Sequence, residues 1–216
     1  MLRKTTFHLT LLTAGLGFAA STSWGYASTE SKTAGRNERA SASAIRAIPW
    51  KDRTYDFGDG DPRVFTKGKH LDLNDEGRCN VCISIRSVTF GDIDGDGQEE
   101  ALVTTATSLG GAGVLLEGFI YGLKDGEVVL RSEVESGDRG DGGIESMTAR
   151  DGDAIVRRYR LENPSLPGSR YGSTCCPNWI EVERWHWDGS KLVKVSARFI
   201  RRAPRPWTGP SRHRGR

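Results

Sequence analysis

"GFIYGLKDGEVVLRSEV", residues Gly118–Val134, is two β-like runs joined at Asp125-Gly126. Asp and Gly both tolerate a positive φ, so the pair favours the tight turn that folds one strand back on the next. The arrangement recurs downstream. "IESMTA" and "AIVRRYRL" flank Asp151-Gly152, and "WIEVERWHW" and "KLVKVSARF" flank Asp188-Gly189. Upstream, "ISIRSVTF" alternates at Ile83 and Ile85 and again at Val88 and Phe90, so the change of parity at Arg86-Ser87 predicts a β-bulge. "ALVTTAT" is rich in β-branched residues, which suit a pleated surface. No helical periodicity runs beyond a couple of turns. The expected fold is all-β, an antiparallel meander or sandwich with few or no helices. Trp179, Glu181, Glu183, Trp185 and Trp187 share one parity, which predicts that the aromatic side of their strand lines a core or a groove.

The ends read differently from the body. Arg3 and Lys4, an apolar run from Phe7 to Ala20 and the small-residue exit Gly25-Tyr26-Ala27 make residues 1–27 a secretory signal. The run is too short to span a bilayer, so the mature chain is expected to be secreted or periplasmic with no transmembrane segment. Residues 28–47, rich in Ser, Ala, Thr, Lys and Glu, read as a flexible linker, and 48–200 as a single β-rich domain. Residues 201–216, "RRAPRPWTGPSRHRGR", read as a disordered basic tail. Charge is therefore segregated. Two of the 31 Lys and Arg lie in the signal and six in the tail, so the part between is net acidic against its 28 Asp and Glu, although the whole chain is +3. The tail suits an anionic surface such as headgroups or envelope polymer. Nucleic acid is not an expected partner, since no basic strand carries the aromatic side chains that stack bases.

Four cysteines fall in two pairs, Cys79/Cys82 and Cys175/Cys176. Adjacent cysteines make a poor zinc knuckle, and β-branched "ISIRSV" follows Cys82 where a thioredoxin-type motif would have a helix. For an exported chain disulfides are the better reading. The strain of bonding adjacent cysteines predicts two cross-links between the pairs, in either order. The glycine-rich loops "SLGGAG" and "SGDRGDGG" lack the Lys-Ser/Thr of a phosphate-binding loop. Arg139-Gly140-Asp141 in the second is a tripeptide of adhesion ligands, but three such residues arise easily in a Gly/Asp-rich loop.

"GDIDGDGQEEALV", Gly91–Val103, is the most distinctive stretch for function. Counted from Asp92, carboxylates stand at positions 1, 3 and 5 (Asp92, Asp94, Asp96), Gly97 at 6 permits a sharp turn, Gln98 at 7 offers a carbonyl, and Glu100 stands at 9. Short acids at odd spacing converge on one hard cation, as in the first half of an EF-hand loop. The EF-hand glutamate at position 12 is replaced by Val103, and the flanks are strands. Without a cation four such carboxylates would repel one another. Calcium is the expected ion, since the ligands are many and flexible.

This D-x-D-x-D-G-x-x-E between strands resembles the calcium loop of FG-GAP and VCBS-type repeats. The resemblance covers about fifteen residues and implies ligation by Asp92, Asp94, Asp96, the Gln98 carbonyl and Glu100. The chain departs from that pattern in having Glu at the ninth position and one good copy; "YDFGDGD", Tyr55–Asp61, lacks the odd-position series. One copy excludes a propeller of such repeats. A looser resemblance, over about Trp50 to Phe199, is to small exported bacterial domains of unknown function, and it transfers no catalytic residues.

No G-x-S-x-G, H-E-x-x-H or S-x-x-K occurs, and only His70 and His186 in the expected domain could act as a base near neutrality. The expected function is a non-enzymatic exported module, stabilised by calcium and disulfides, that binds a protein or envelope polymer. The alternative is a secreted hydrolase of polysaccharide or peptide, with two acids beside stacking Trp residues.

Overall fold

The computed structural model describes residues 44–111, 113–138, 140–166 and 177–202. The signal sequence, most of the linker, Arg139, Cys175, Cys176 and the tail beyond residue 202 lie outside them. Eleven strands follow in order: β1 (Thr54–Tyr55), β2 (Arg63–Val64), β3 (Lys69–Leu73), β4 (Cys79–Gly91), β5 (Glu100–Ser108), β6 (Val114–Lys124), β7 (Glu127–Asp138), β8 (Ile144–Arg150), β9 (Asp153–Arg160), β10 (Trp179–Trp187) and β11 (Leu192–Arg201). All named pairings are antiparallel. They form a five-stranded sheet β3-β4-β5-β6-β7, a four-stranded sheet β11-β10-β9-β8 and the small β1-β2 ribbon. Among the described residues the only helix is one turn over 44–46, and none is long and apolar enough to cross a membrane.

The turns show why neighbouring strands pair. Asp125 and Gly126 have φ of 55° and 85°, and Asp151 and Gly152 have 53° and 76°, the doubly left-handed conformation that matches strand twist in a two-residue hairpin. The third Asp-Gly acts otherwise. Only Gly189 has a positive φ, and Asp188 Oδ1 accepts the N–H groups of Ser190 and Lys191, so a four-residue loop joins Trp187 to Leu192. The bulge expected at Arg86-Ser87 is present, with the β4–β5 register shifting between Ile85 and Ser87.

Three layers result. On the outer face of the five-stranded sheet, residues 45–65 form a cap in which Ile45, Trp50, Tyr55, Phe57 and Phe65 pack against Ile83, Val103, Phe119 and Tyr121. Ile45 is fully buried, so the packed body begins within the stretch that composition assigns to the linker. Trp50 Nε1 donates to Ile45 O, and Tyr55 Oη donates to Trp50 O, which gives two of the cap's carbonyls a partner. On the inner face Ile93, Leu102, Ile120 and Val134 meet Ile144, Met147, Ala154 and Val156 of the other sheet. A third cluster joins Leu116 to Tyr159 and Ile180. Because β5 is covered on both sides, Ala101 and Val103 enter one core and Leu102 the other.

Strand β8 lies closest against the five-stranded sheet, touching β4, β5 and β6. Close approach requires a glycine beneath it. A Cβ on Gly91 would stand 2.3 Å from the Ala149 Cβ. Gly91→Ala is therefore expected to cost about 1–3 kcal/mol. Adding Ala149→Gly should recover part of that loss in urea unfolding; a double variant no more stable than Gly91→Ala alone would count against this packing.

The cysteines correct the sequence expectation. Cys79 bonds to Cys82, with Cα atoms 5.8 Å apart, so these two are not cross-linked to Cys175 and Cys176. Three residues of extended strand would span about 10 Å. The β3–β4 register explains the shortening: Asp72 pairs with Val81 but Leu73 with Cys79, which leaves Asn80 as an extra residue that folds β4 on itself.

Candidate metal centre

The acidic loop joins β4 to β5. Gly95 and Gly97 turn it with φ of 75° and 84°. Ile93, between two aspartates, is 1% exposed and enters the inter-sheet core, so an apolar anchor holds an otherwise polar loop. Glu100 is buried at the first position of β5, and its Oε2 accepts the Ile93 N–H at 3.0 Å.

Carboxylate oxygens of Asp92, Asp94 and Glu100 lie within 4.8 Å of one another. Asp92 also accepts the N–H groups of Gly95 (2.7 Å) and Gly97 (3.0 Å), which orients it inside the turn. Asp96 is not one of the three. Its Oδ1 accepts the Gln98 N–H at 2.7 Å, so Asp96 and Gln98 serve as turn partners. An all-oxygen donor set of this kind fits a hard cation such as calcium. "YDFGDGD" contributes no such group; Tyr55 and Phe57 belong to the cap, and Asp59 pairs with Arg63 at 2.7 Å.

A residue that no local spacing marks also contacts the loop. Arg131 reaches over from β7 and its Nη2 donates to Asp94 Oδ2 at 2.7 Å, while its guanidinium lies 5.2 Å from the Trp187 ring centroid. Its charge offsets part of the repulsion. It does not offset all of it: burial, then the charges of Asp94 and Asp96, push the Glu100 carboxyl up to about 7 against the pull of the Ile93 N–H and Arg131. Burial likewise raises the Asp96 carboxyl, helped by Asp94 and Asp92 and opposed by the Gln98 N–H. At Glu100 the charges of Asp94 and Asp96 add to the cost of burial, and a cation there would relieve both.

The Trp/Glu face of β10 has its acids tied up in ion pairs. Trp185 Nε1 donates to Glu183, and Lys194 Nζ stands 5.9 Å from its ring centroid. Glu183 is 1% exposed and paired at 2.8 Å with buried Arg158; Lys194 reaches it at 3.0 Å, and Arg160 holds Glu181 at 2.6 Å. The parity argument placed these residues on one face, but it did not foresee that the acids would be buried with basic partners from β9 and β11. His186 Nδ1 is 2.9 Å from buried Asp153, which also pairs with Arg184. Burial would raise the Asp153 carboxyl, but hydrogen bonds from His186 and Arg184 hold it below its usual range. His70 Nδ1 lies 3.1 Å from Val64 O. With cations over both Trp185 and Trp187, this strand does not favour a sugar-stacking cleft.

Comparison with protein-family models, curated proteins and solved structures finds no match for this chain.

Proposed function

We propose that the folded body is an exported, non-catalytic β module that displays a binding surface to a protein or envelope polymer, and that calcium held by Asp92, Asp94 and Glu100 stabilises it. The supporting observation is the convergence of those three carboxylates on a turn anchored by Ile93 in the inter-sheet core. The cation's contribution there is charge neutralisation: bound, it ties β4 to β5 and holds the loop against the second sheet. The chain's own residues do the rest. Glu100 fixes the Ile93 backbone, Asp92 fixes both glycines, and Arg131 shares Asp94.

Thermal unfolding in calcium and in chelator tests the reading. Calcium at about a hundred times its Kd should raise the midpoint by about 5–10 °C. Asp94→Ala should abolish the rise. Because Arg131 competes for the Asp94 carboxylate, Arg131→Met should lower the midpoint in chelator yet enlarge the calcium increment. An unchanged midpoint on adding calcium to the unsubstituted protein would sink the proposal and leave Arg131 as the loop's resident cation.

A further inference from the structure

The outer face of the five-stranded sheet is only partly covered. Where the cap ends, at Phe57, a pocket of about 290 Å³ opens against Phe119, Ile83 and Leu115. Along this side β6 presents Leu115, Glu117, Phe119 and Tyr121, so Glu117 interrupts an otherwise apolar row. A carboxylate among aromatic and aliphatic side chains needs polar partners. Two buried threonines supply them: the Thr107 hydroxyl donates to Glu117 Oε2, and that of Thr105 donates at 3.3 Å. The two hydroxyls position the carboxylate.

Glu133, which pairs in register with Phe119, lines the same pocket. Burial first, and then the charges of Glu117 and Asp59, raise its carboxyl above the usual range. The one basic lining residue, Arg63, bonds to Asp59 at 2.7 Å and lies 3.6 Å from Asp61. Three carboxylates, Asp59, Glu117 and Glu133, therefore share a half-open pocket with one guanidinium, which lies 5.7 Å from the Phe57 ring centroid. Net negative charge beside an apolar wall is the complement of a cation with a hydrophobic body.

We propose that this pocket binds a compact organic ammonium, its charged head between Glu117 and Glu133 and its apolar stem against the wall that Ile83, Leu115 and the packed Phe57–Phe119 pair form. The volume admits one stem of roughly single-ring size, the lower end of small-ligand sites. The threonine pair acts as a positioning device, holding Glu117 in one orientation before the ligand arrives. This reading is independent of the calcium centre, which lies on a different loop.

Calorimetric titration of the full chain with phenethylammonium tests it, beside phenethyl alcohol and 3-phenylpropionate as neutral and anionic analogues. The ammonium alone should bind. Glu117→Gln should weaken that binding about tenfold or more, equivalent to at least about 1.4 kcal/mol, whereas Glu145→Gln, an equal loss of charge on β8, should change it less than about twofold. Should Glu117→Gln fail to fold by circular dichroism, Glu133→Gln carries the same test with a several-fold loss expected. The proposal is overturned if the ammonium does not bind at millimolar concentration, if the alcohol binds equally well, or if the pocket and β8 variants weaken binding alike. It is also overturned if a synthetic peptide of residues 203–216 binds while the ammonium does not, for then the chain's basic end is the occupant.

Discussion

Arg158→Met is expected to lower the unfolding free energy by about 3–5 kcal/mol, read from the urea midpoint near pH 7. Arg158 is 3% exposed. Its Nε donates to Glu183 Oε2 at 2.8 Å, and its Nη1 donates to the carbonyls of Glu135 and Gly142. The substitution strands a buried carboxylate and two carbonyls together, and that penalty exceeds what the ion pair contributes over an apolar pair. Arg158→Met/Glu183→Leu should therefore be more stable than Arg158→Met alone. Acid should narrow the gap between the unsubstituted protein and Arg158→Met. Burial would raise the Glu183 carboxyl, but the hydrogen bond and charge of Arg158, with Trp185 and Lys194, hold it below its ordinary 4.5. A carboxyl lowered in the folded state contributes stability that is present above about pH 4.5 and lost as pH falls through the folded value. In Arg158→Met the carboxyl is neutralised more easily, so the gap should narrow below about pH 4.5 to the part that the Glu135 and Gly142 carbonyls contribute. A gap that stays constant from pH 7 to pH 3 would show that the Glu183 charge contributes nothing and that Arg158 acts through its carbonyl bonds and packing.

Gly137→Ala should cost about 3 kcal/mol, with Gly118→Ala nearer 1 kcal/mol. Both lie where the two sheets approach, and the added methyl meets different obstacles. At Gly118 it stands 2.4 Å from Met147 Sδ and 2.7 Å from Ile144 Cδ1, the far ends of side chains that can change rotamer. At Gly137 it stands 2.4 Å from the Gly142 carbonyl carbon and 2.7 Å from Asp141 O, which are backbone. Gly142 cannot yield cheaply, because its N–H bonds Tyr159 O at 2.8 Å and its φ is 79°. Equal losses at the two glycines, by chemical denaturation, would contradict the close backbone approach.

The bulk of the fold was legible in the sequence because its rules are local. Alternation along Ile83–Phe90, β-branching in β5 and the Asp-Gly pairs concern residues a few positions apart, and the sheets contain the strands and turns they predict. Asp92, Asp94 and Glu100 were singled out for the same reason, since they sit within one turn. Contacts distant along the chain were not legible. Arg131 reaches Asp94 across 37 positions, and Arg158 reaches Glu183 across 25; nothing in either neighbourhood marks the partner. Ile45 looked like linker because its surroundings are small and polar, yet Trp50 and the outer sheet face enclose it.

The cysteines show the division most clearly. Composition separated them into two pairs, but a one-residue slip between β3 and β4 decided that Cys79 and Cys82 meet each other. Strand type, turn position and the acidic loop are properties of short segments, so the sequence by itself determined them. Which acids are buried, which bases meet them and where the cap leaves a pocket depend on how two sheets and an N-terminal layer stack. Packing between segments far apart in the chain sets those features, and only the tertiary structure decided them.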